Sequence, residues 1–278
     1  MEKTKIRVQP VLKLYLDLSK TNYLHFGLWD GGAELNLLNF QKAQENYAQK
    51  LISIIPKSVK TVLDVGCGVG GNAIAINKAG FSVESMSPDP YQQELFTKNT
   101  SGKIPFHLTT LEDYKTDKKY DLLLLSESVQ YIPEKEIFRK ANELLKPNGF
   151  LLTSDYYKNE NGITQENLPG HPLKDFLNEA NVQGFKIIQE IDITEQILPT
   201  LDYGNLVYKN YIKPVLNCIL TTLEVHLKPI HWLFMFLLKI RIKGKSLRQI
   251  IINNVVPMDR EIFKKNLAYK IHLLQKNP

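Results

Sequence analysis

An aspartate and three alternating glycines form the most informative group of residues in the sequence. Asp64 ends a short apolar run, and Gly66, Gly68 and Gly70 follow at every second position. The apolar run predicts a buried strand. The glycines predict a sharp turn into a helix, because glycine adopts the positive φ angles that such a turn needs. Backbone without side chains also lets a ligand approach closely, and a carboxylate here suits a ligand that carries an amino-acid group.

The order of these residues resembles the D-x-G-x-G-x-G signature of S-adenosylmethionine (SAM)-dependent methyltransferases. The resemblance implies that SAM is the cofactor. It also implies that the turn holds the cofactor through Asp64, Gly66, Cys67, Gly68 and Gly70.

A dinucleotide-binding fold is the competing interpretation of the same glycines. Gly66, Gly68 and Gly71 also satisfy G-x-G-x-x-G, which alone is a weak pattern. That fold needs an acidic residue near the end of the second strand to bind a ribose hydroxyl. Position 87 is a serine, which favours SAM over a nicotinamide or flavin cofactor.

The segment from residue 22 to 32 combines aromatic residues, a histidine and glycines. It resembles the H-x-G-x-W segment of small-molecule and lipid methyltransferases related to cyclopropane-fatty-acid synthases and to tocopherol and sterol methyltransferases. In those enzymes the segment folds over the cofactor, which implies that Tyr23, His25, Phe26, Gly27 and Trp29 lie near SAM. The alternative is that the aromatic residues pack an N-terminal helix onto the sheet.

The end of the second predicted strand departs from the usual family pattern. Many methyltransferases have an acid at the position of Ser87 to hold the ribose, whereas this segment looks like an S-P-x-Q variant in which a downstream glutamine shares the role. We therefore expect Ser87, Asp89 and Gln92 near the ribose. The prolines at positions 88 and 90 would also explain a simple helix start.

The segment after the third predicted strand is the expected adenine site. By the family pattern, Glu112 is the nearest match to the acid that accepts the adenine amino group, and Leu111 supplies the neighbouring backbone amide. The alternative is that Glu112 and Asp113 belong to an ordinary solvated turn.

The segment after the fourth predicted strand resembles the E-x-x-E-H stretch of natural-product and quinone methyltransferases. The resemblance implies that Ser126 and Glu127 lie by the methionine end of SAM and that Gln130 and Tyr131 face the acceptor, although Tyr131 could instead pack in the core. The [DNS]-P-P-[YFW] motif of DNA methyltransferases does not occur here, so we expect no nucleic-acid partner.

Methyl transfer is an in-line displacement, for which the protein mainly aligns the reactants and excludes water. An oxygen acceptor also needs a base to take its proton. The candidates are His25, His171 and the pair of Glu127 and Tyr131. The six histidines are scattered without a closely spaced ligand set, so we expect no metal.

Apolar runs alternate with helical stretches between residues 60 and 157, as in βαβ units. Among them, residues 61–65 and 149–154 are predicted strands and residues 90–99 a predicted helix. We predict an α/β fold with a doubly wound, mostly parallel, Rossmann-like sheet of seven strands. The expected divisions are an N-terminal helical lid (1–57), the SAM-binding core (58–200), a helical cap insertion (201–260) and a closing strand (261–278).

The positive charge is concentrated in the C-terminal part of the chain. The net charge is +6 overall but +9 from residue 201 onward, where apolar residues also recur at helical spacing. An apolar face beside basic residues predicts either peripheral contact with a membrane surface or a pocket for a lipophilic acceptor. A cap buried against the sheet, with its lysines in water, is the alternative.

The sequence thus predicts a cytoplasmic methyltransferase that acts on a lipophilic small molecule, such as an isoprenoid, sterol, quinone or fatty-acid derivative. A cytoplasmic location is expected because there is no secretory signal and Cys67 and Cys218 are the only cysteines. The alternatives are a methyltransferase of a soluble polar metabolite and a non-catalytic scaffold or activator with the same fold.

Overall fold

The computed structural model describes residues 9–159, 168–239, 241–242, 245–246 and 259–278. The chain divides into two compact units. One consists of Met1–Ile197 and Lys264–Pro278, and the other of Leu198–Phe263. All of the predicted site residues belong to the first unit.

Two helices precede the sheet. α1 spans Pro10–Ser19 and begins with a proline, whose missing N–H costs no hydrogen bond at that position. α2 spans Leu37–Ile54, and the side chain of Asn36 caps it by accepting a hydrogen bond from the backbone N–H of Asn39. The loop between these helices contains the predicted cofactor segment around His25.

The described strands follow in chain order: β1 Thr61–Val65, β2 Ser82–Ser87, β3 Phe106–Leu108, β4 Tyr120–Ser126, β5 Leu145–Lys158, β6 Phe185–Asp192, β7 Arg241–Ile242, β8 Lys245–Ser246 and β9 Leu267–Lys276. Seven of them form one sheet in the order β3-β2-β1-β4-β5-β9-β6. β1 to β5 pair in parallel, and β9 runs antiparallel between β5 and β6. β7 and β8 form a separate pair.

The remaining helices are α3 Gly71–Lys78, α4 Pro90–Asn99, α5 Glu134–Leu144, α6 Leu173–Val182, α7 Thr194–Val207, α8 Lys213–His226, α9 Lys228–Lys239 and α10 Arg260–Asn266. A short 3₁₀ turn at Val129–Tyr131 follows β4, and a π-helical turn at Tyr208–Ile212 joins α7 to α8.

The central strands are buried on both faces. The four leucines at positions 122 to 125 in β4 are all fully buried, although successive side chains of a strand point to opposite faces. Such double burial is typical of parallel sheets with helices on each side. A cluster of aromatic rings fills the core beside α5 and α6, with Phe138 contacting both Phe176 and Phe185.

The predicted fold class is confirmed by the seven-stranded, mostly parallel sheet and its flanking helices. β1 and α4 have the predicted bounds, whereas β5 extends beyond the predicted range of residues 149–154 at both ends. β6 was not predicted. Most of its residues are exposed, so its sequence lacks the apolar run or the alternation of apolar and polar residues that indicates a strand. The basic residues Lys243 and Arg248 of the predicted cap lie outside the described residues.

Candidate cofactor and active site

A cavity of about 400 Å³ opens at the carboxyl ends of the parallel strands, the edge where open α/β sheets bind ligands. Its walls come from the ends of β1, β2 and β4, the loops after β3 and β4, and the loop before α2. Thirteen of the predicted residues line it: Tyr23, His25, Gly66, Cys67, Gly68, Ser87, Asp89, Gln92, Leu111, Glu112, Ser126, Glu127 and Tyr131.

The glycine turn adopts the predicted backbone conformation. Gly66, Gly68 and Gly70 have φ angles of 78°, 55° and 100°. A Cβ atom at Gly66 would lie 2.4 Å from Cβ of Ser128, and one at Gly68 would lie 2.8 Å from Cδ1 of Leu24. Close packing of the protein itself therefore requires glycine at position 66, in addition to the predicted positive φ, whereas the atom nearest to Gly68 is the movable end of the Leu24 side chain.

Asp64 lies on β1 immediately before the wall residue Val65, and it is not itself among the residues that line the described cavity. Its side chain is buried, and burial raises the pKa of the carboxyl to about 7. Among the residues that the structure describes, none forms a hydrogen bond with Oδ2 of Asp64. A buried oxygen without a partner is costly, so this atom is well suited to meet a polar group of a ligand.

The residues at the end of β2 hold each other in place. The hydroxyl of Ser87 donates to Oε1 of Gln92 over 2.8 Å. Asp89 caps α4, because its Oδ1 accepts from the backbone N–H groups of Tyr91 and Gln92, and its Oδ2 accepts from Gln9. The carboxylate of Asp89 thus caps the start of α4, as the alternative interpretation of this segment has it. Asp89 nevertheless lines the cavity.

The loop after β3 contributes Thr109, Thr110, Leu111 and Glu112 to the wall. Leu111 is buried, whereas the hydroxyl of Thr110 bonds to Asp113 rather than to Glu112. Glu112 therefore lines the cavity without a hydrogen bond to Thr110, and its role in binding adenine stays a prediction.

Glu127 is the most unusual residue of the cavity. Its backbone has a φ of 54°, a conformation that non-glycine residues seldom adopt and that often occurs at functional sites. Its Oε1 accepts hydrogen bonds from the backbone N–H of Phe26 over 2.6 Å and from the hydroxyl of Tyr269 over 2.7 Å. Burial raises the pKa of the carboxyl to about 8, although these two hydrogen bonds favour the ionised form.

A chain of hydroxyl groups continues behind Glu127. The hydroxyl of Tyr269 lies 2.9 Å from that of Tyr47, which in turn donates to Oγ of Ser154 over 2.6 Å. Tyr47 comes from α2, Ser154 from β5 and Tyr269 from β9, so three distant segments of the chain fix the position of Glu127.

His25 lies in the wall, but the protein uses both of its ring nitrogens. Nδ1 lies 2.7 Å from the carbonyl oxygen of Phe26, and Nε2 lies 3.1 Å from the amide oxygen Oδ1 of Asn72. Burial lowers the pKa of the ring to about 4, so it is neutral at pH 7. A neutral ring donates from Nδ1 and accepts at Nε2, which requires that Asn72 turn its amide N–H₂ group toward the ring.

The loop that carries His25 is held by α2. The buried side chain of Gln44 donates to the carbonyl oxygen of His25 over 2.7 Å, and the ring of Tyr47 stacks on the imidazole at 4.1 Å. These contacts give His25 a positioning role, and its geometry does not suit a general base.

Tyr131 lines the cavity with most of its side chain exposed, at 76%, so it lies at the mouth rather than in the core. Its neighbour Gln130 accepts a hydrogen bond from the hydroxyl of Tyr156, and the backbone N–H of Gln130 donates to the buried Asp155. Of the two residues predicted to face the acceptor, Tyr131 lines the cavity, whereas Gln130 forms hydrogen bonds with residues of β5.

His171, Trp29 and Gly70 are not among the residues that line the described cavity. Nε2 of His171 lies 3.0 Å and 2.9 Å from the carbonyl oxygens of Val129 and Ile132, and its Nδ1 lies 2.8 Å from Glu134. Trp29 is buried beside Phe40 of α2, with its ring 6.3 Å from that phenyl ring. Both side chains therefore support the packing of the first unit. For Trp29 this agrees with the alternative interpretation, in which the aromatic residues of the segment pack an N-terminal helix.

Sequence reasoning missed several wall residues and one partner. Asn22, Leu24, Asn72 and Ser128 line the cavity. Asn22 and Leu24 flank the predicted Tyr23, and Asn72 directly follows the glycines. Their positions next to predicted site residues would therefore have identified them. No local signal identifies Tyr269, which reaches Glu127 from the far end of the chain.

Within the described part of the chain, no group of three or more histidine, cysteine, aspartate or glutamate residues is placed to hold a metal ion. Likewise, no described helix has the length and apolar composition needed to cross a membrane.

The sheet order, the glycine turn and the cavity at the carboxyl ends of the strands define a Rossmann-like α/β protein with a small-ligand site. A family model described as "Methyltransferase domain" matches residues 40–188, which is more than half of the chain. The chain therefore belongs to the methyltransferase-domain family.

Curated relatives point in the same direction. The chain is 27% identical over 150 residues to a ubiquinone biosynthesis O-methyltransferase of Hydrogenovibrio crunogenus, covering 51% of this chain and 61% of the relative. It is 28% identical to a probable chloroplastic tocopherol O-methyltransferase of Oryza sativa subsp. japonica, covering 42% and 36% of the two chains. The chain thus spans less than two thirds of the length of these two relatives.

Solved structures show the same fold along almost the whole chain. The SpnF [4+2]-cyclase has a TM-score of 0.70 and 16% identity, covering 96% of this chain and 93% of that one. A geranyl diphosphate C-methyltransferase from Streptomyces coelicolor A3(2) has a TM-score of 0.67 and 14% identity, covering 97% and 94%. Because one of these proteins is described as a cyclase, the fold alone does not determine the reaction.

The residues that line the cavity, together with Asp64 beside it, fit the predicted cofactor. Oδ2 of Asp64 is a buried oxygen without a described partner, and the glycine turn leaves bare backbone at the wall. The cavity volume of about 400 Å³ lies within the range of about 300–1,000 Å³ typical of sites for small ligands.

Proposed function

We propose that this protein is a SAM-dependent methyltransferase that acts on a lipophilic small molecule. The observation that carries the proposal is the unpartnered, buried oxygen of Asp64 beside a glycine turn, in a chain of the methyltransferase-domain family. SAM combines a cationic sulfonium, an amino-acid group and a nucleoside, and these features correspond to the polar groups around the cavity.

In this proposal, three groups of residues bind the cofactor. Asp64 and the backbone of the glycine turn receive its methionine portion, Ser87 and Gln92 receive the ribose, and Leu111 and Glu112 receive the adenine. Tyr23 and Leu24 cover the turn, since both side chains lie within contact distance of a Cβ placed at Gly71 or Gly68. When bound, SAM supplies an activated methyl group.

Glu127 is our candidate for the group that takes a proton from an oxygen acceptor. It lines the cavity, its orientation is fixed by the hydrogen bonds from Phe26 and Tyr269, and its pKa of about 8 lies close to neutral pH. A base is most effective when its pKa lies near the working pH. Since the acceptor proton goes to the carboxylate, Glu127 must be ionised before each turnover.

Two observations favour a lipophilic acceptor. Apolar side chains of Val65, Met86, Leu111 and Ile132 share the wall with the polar groups. The curated relatives are named for ubiquinone, tocopherol and, in Synechocystis, 2-methyl-6-phytyl-1,4-hydroquinone. A quinol or related isoprenoid ring compound is therefore the first acceptor class to examine.

Because such acceptors reside in membranes, we propose that the protein meets them at a membrane surface as a peripheral protein on the cytoplasmic side. The free thiols of Cys67 and Cys218 are compatible with a reducing compartment.

The test is to incubate the protein with methyl-labelled SAM and with lipid and aqueous extracts of the source organism in parallel. We expect label in the lipid extract, and much less label with the Asp64→Asn variant when SAM is below saturation. Label in the aqueous extract alone would indicate a polar metabolite as acceptor. A folded protein that binds no SAM in calorimetry would instead be a scaffold or activator.

A further inference from the structure

α9 has the composition of a buried helix but is exposed. Between Lys228 and Lys239 it contains only apolar residues apart from one histidine. Nevertheless, 70% of Trp232, 53% of Phe236 and 50% of Leu233 are accessible to solvent. Helices that are apolar on all sides normally lie in a protein core or in lipid. The described residues leave the exposed side of α9 without an apolar cover.

The neighbouring helix α8 adds to this surface. Val215 and Ile219 lie four residues apart, hence on one face, and both are more than half exposed. In α9 the rings of Trp232 and Phe236 stack with their centres 5.8 Å apart. We call the apolar residues of the two helices that are at least half exposed the α8–α9 surface: Val215, Ile219, Val225, Ile230, Trp232, Leu233 and Phe236.

The charge of the segment that carries this surface indicates what covers it. The stretch from residue 203 to 258 contains eight lysine or arginine residues and one acidic residue, Glu224. An apolar helix accompanied by an excess of lysine and arginine is typical of helices that lie in the interface of an anionic membrane. Two copies of the chain packed through the same surface would instead bring two strongly basic segments together.

The length of α9 determines how it would lie. Twelve residues of α-helix extend about 18 Å, which is shorter than the hydrocarbon core of about 30 Å. The helix is therefore too short to span a bilayer, but it is long enough to lie in the plane of the interface with Trp232 and Phe236 inserted.

We infer that the α8–α9 surface docks on the surface of an anionic lipid bilayer, with α9 lying in the interface. The inference rests on the proposed function, because a lipophilic acceptor is the reason for the protein to approach lipid. It names the two helices that make the contact and the charge of the lipid that they select.

The test uses the position of the two tryptophans. Trp29 is buried in the first unit, whereas Trp232 is exposed on α9, and the chain has no other tryptophan. With vesicles that contain about 30% phosphatidylglycerol, we expect the full chain to float and its emission to shift to shorter wavelength. Brominated lipids should quench that emission. The Trp232→Phe variant should still float but lose the shift and the quenching.

A second pair of variants tests the surface itself. Trp232→Glu combined with Phe236→Glu should lower vesicle binding by at least about tenfold, because charges would have to enter the interface. The matched control combines Leu38→Glu with Val182→Glu, at residues of the first unit that are 75% and 67% exposed, and it should bind as the parent does. Binding should also weaken as salt is raised.

Several results would overturn the inference. These are failure of the parent to float, equal binding to pure phosphatidylcholine, equal loss in the control, or a solution dimer that the α9 variant dissociates. Calorimetry with SAM on the same proteins keeps the two proposals separate. A parent that binds SAM but no vesicles refutes only the docking surface, whereas one that binds vesicles but no SAM refutes the proposed function.

Discussion

Three buried carboxyl groups determine the chemistry of the site at the scale of single residues. Burial raises the pKa values of Asp64, Glu127 and Asp155 to about 7, 8 and 7. At neutral pH the site thus carries less negative charge before a ligand binds than its composition suggests. A cationic ligand such as SAM would favour the ionised forms, so we expect its binding to release protons and to strengthen as the pH rises from 6 to about 8.

The first prediction concerns Asp64→Asn. We expect SAM affinity to fall about tenfold or more, since a charge-assisted contact is lost. Stability should change in the opposite direction. The pKa of Asp64 is raised on folding, so its contribution to stability is lost as the pH rises from about 4 to 7. The variant should therefore be at least as stable as the parent at pH 8. Calorimetry and thermal melts measure the two effects, and a destabilised variant with normal affinity would assign Asp64 a purely structural role.

The second prediction concerns the pH dependence of catalysis. If Glu127 takes the acceptor proton, kcat should rise with pH and level off where the carboxyl is ionised. Because bound SAM favours the ionised form, that plateau should begin below the pKa of about 8 that burial gives the carboxyl without SAM. In the Glu127→Gln variant, kcat should fall by about a hundredfold and lose this dependence. His25→Gln serves as the control, because His25 is neutral throughout this range and should leave the shape of the profile unchanged. An unaltered profile in Glu127→Gln would exclude Glu127 as the base.

At the scale of elements, the glycine turn joins β1 to α3 and packs against the loops that enclose the cavity. Gly66 requires both a positive φ of 78° and space beside Ser128. Gly32 has nearly the same φ, 75°, but nothing lies within 4 Å of a Cβ placed there. The two positions therefore separate backbone strain from steric overlap.

We predict that Gly32→Ala costs about 1 kcal/mol of stability through backbone strain alone. Gly66→Ala should cost about 1–3 kcal/mol more, because the Cβ atoms at 66 and 128 would be only 2.4 Å apart. Denaturant unfolding of both variants measures the difference. Equal losses would mean that the loop carrying Ser128 moves aside easily, and the site would then be less rigid than its packing indicates.

The elements near the cofactor were largely predictable from sequence. The apolar run before Asp64 and the proline and aspartate before α4 are local signals, and β1 and α4 have the predicted bounds. The roles of single side chains were less predictable. Asp89 and His25 have the expected positions, but hydrogen bonds to Gln9 and Asn72, which no spacing rule connects to them, occupy their polar atoms.

At the scale of the whole molecule, the site depends on contacts between ends of the chain that sequence patterns do not relate. Glu127 follows β4, yet its partners are Phe26 from the N-terminal loop and Tyr269 from β9. The sequence analysis expected β9 only to close the sheet. Its antiparallel insertion between β5 and β6 places Tyr269 beside Tyr47 and Glu127, and this placement follows from topology rather than from local pattern.

The last prediction tests this long-range contact. Tyr269→Phe removes a hydrogen bond of 2.7 Å that favours the ionised form of Glu127. The pKa of Glu127 should therefore rise, and the pH at which kcat is half-maximal should move upward by about one unit. Tyr114→Phe is the matched control, because its buried hydroxyl bonds to Tyr120, away from the described cavity wall. It should leave the midpoint unchanged at a similar cost in stability. The same midpoint in Tyr269→Phe as in the control would mean that β9 supports the sheet without tuning the carboxyl group at the active site.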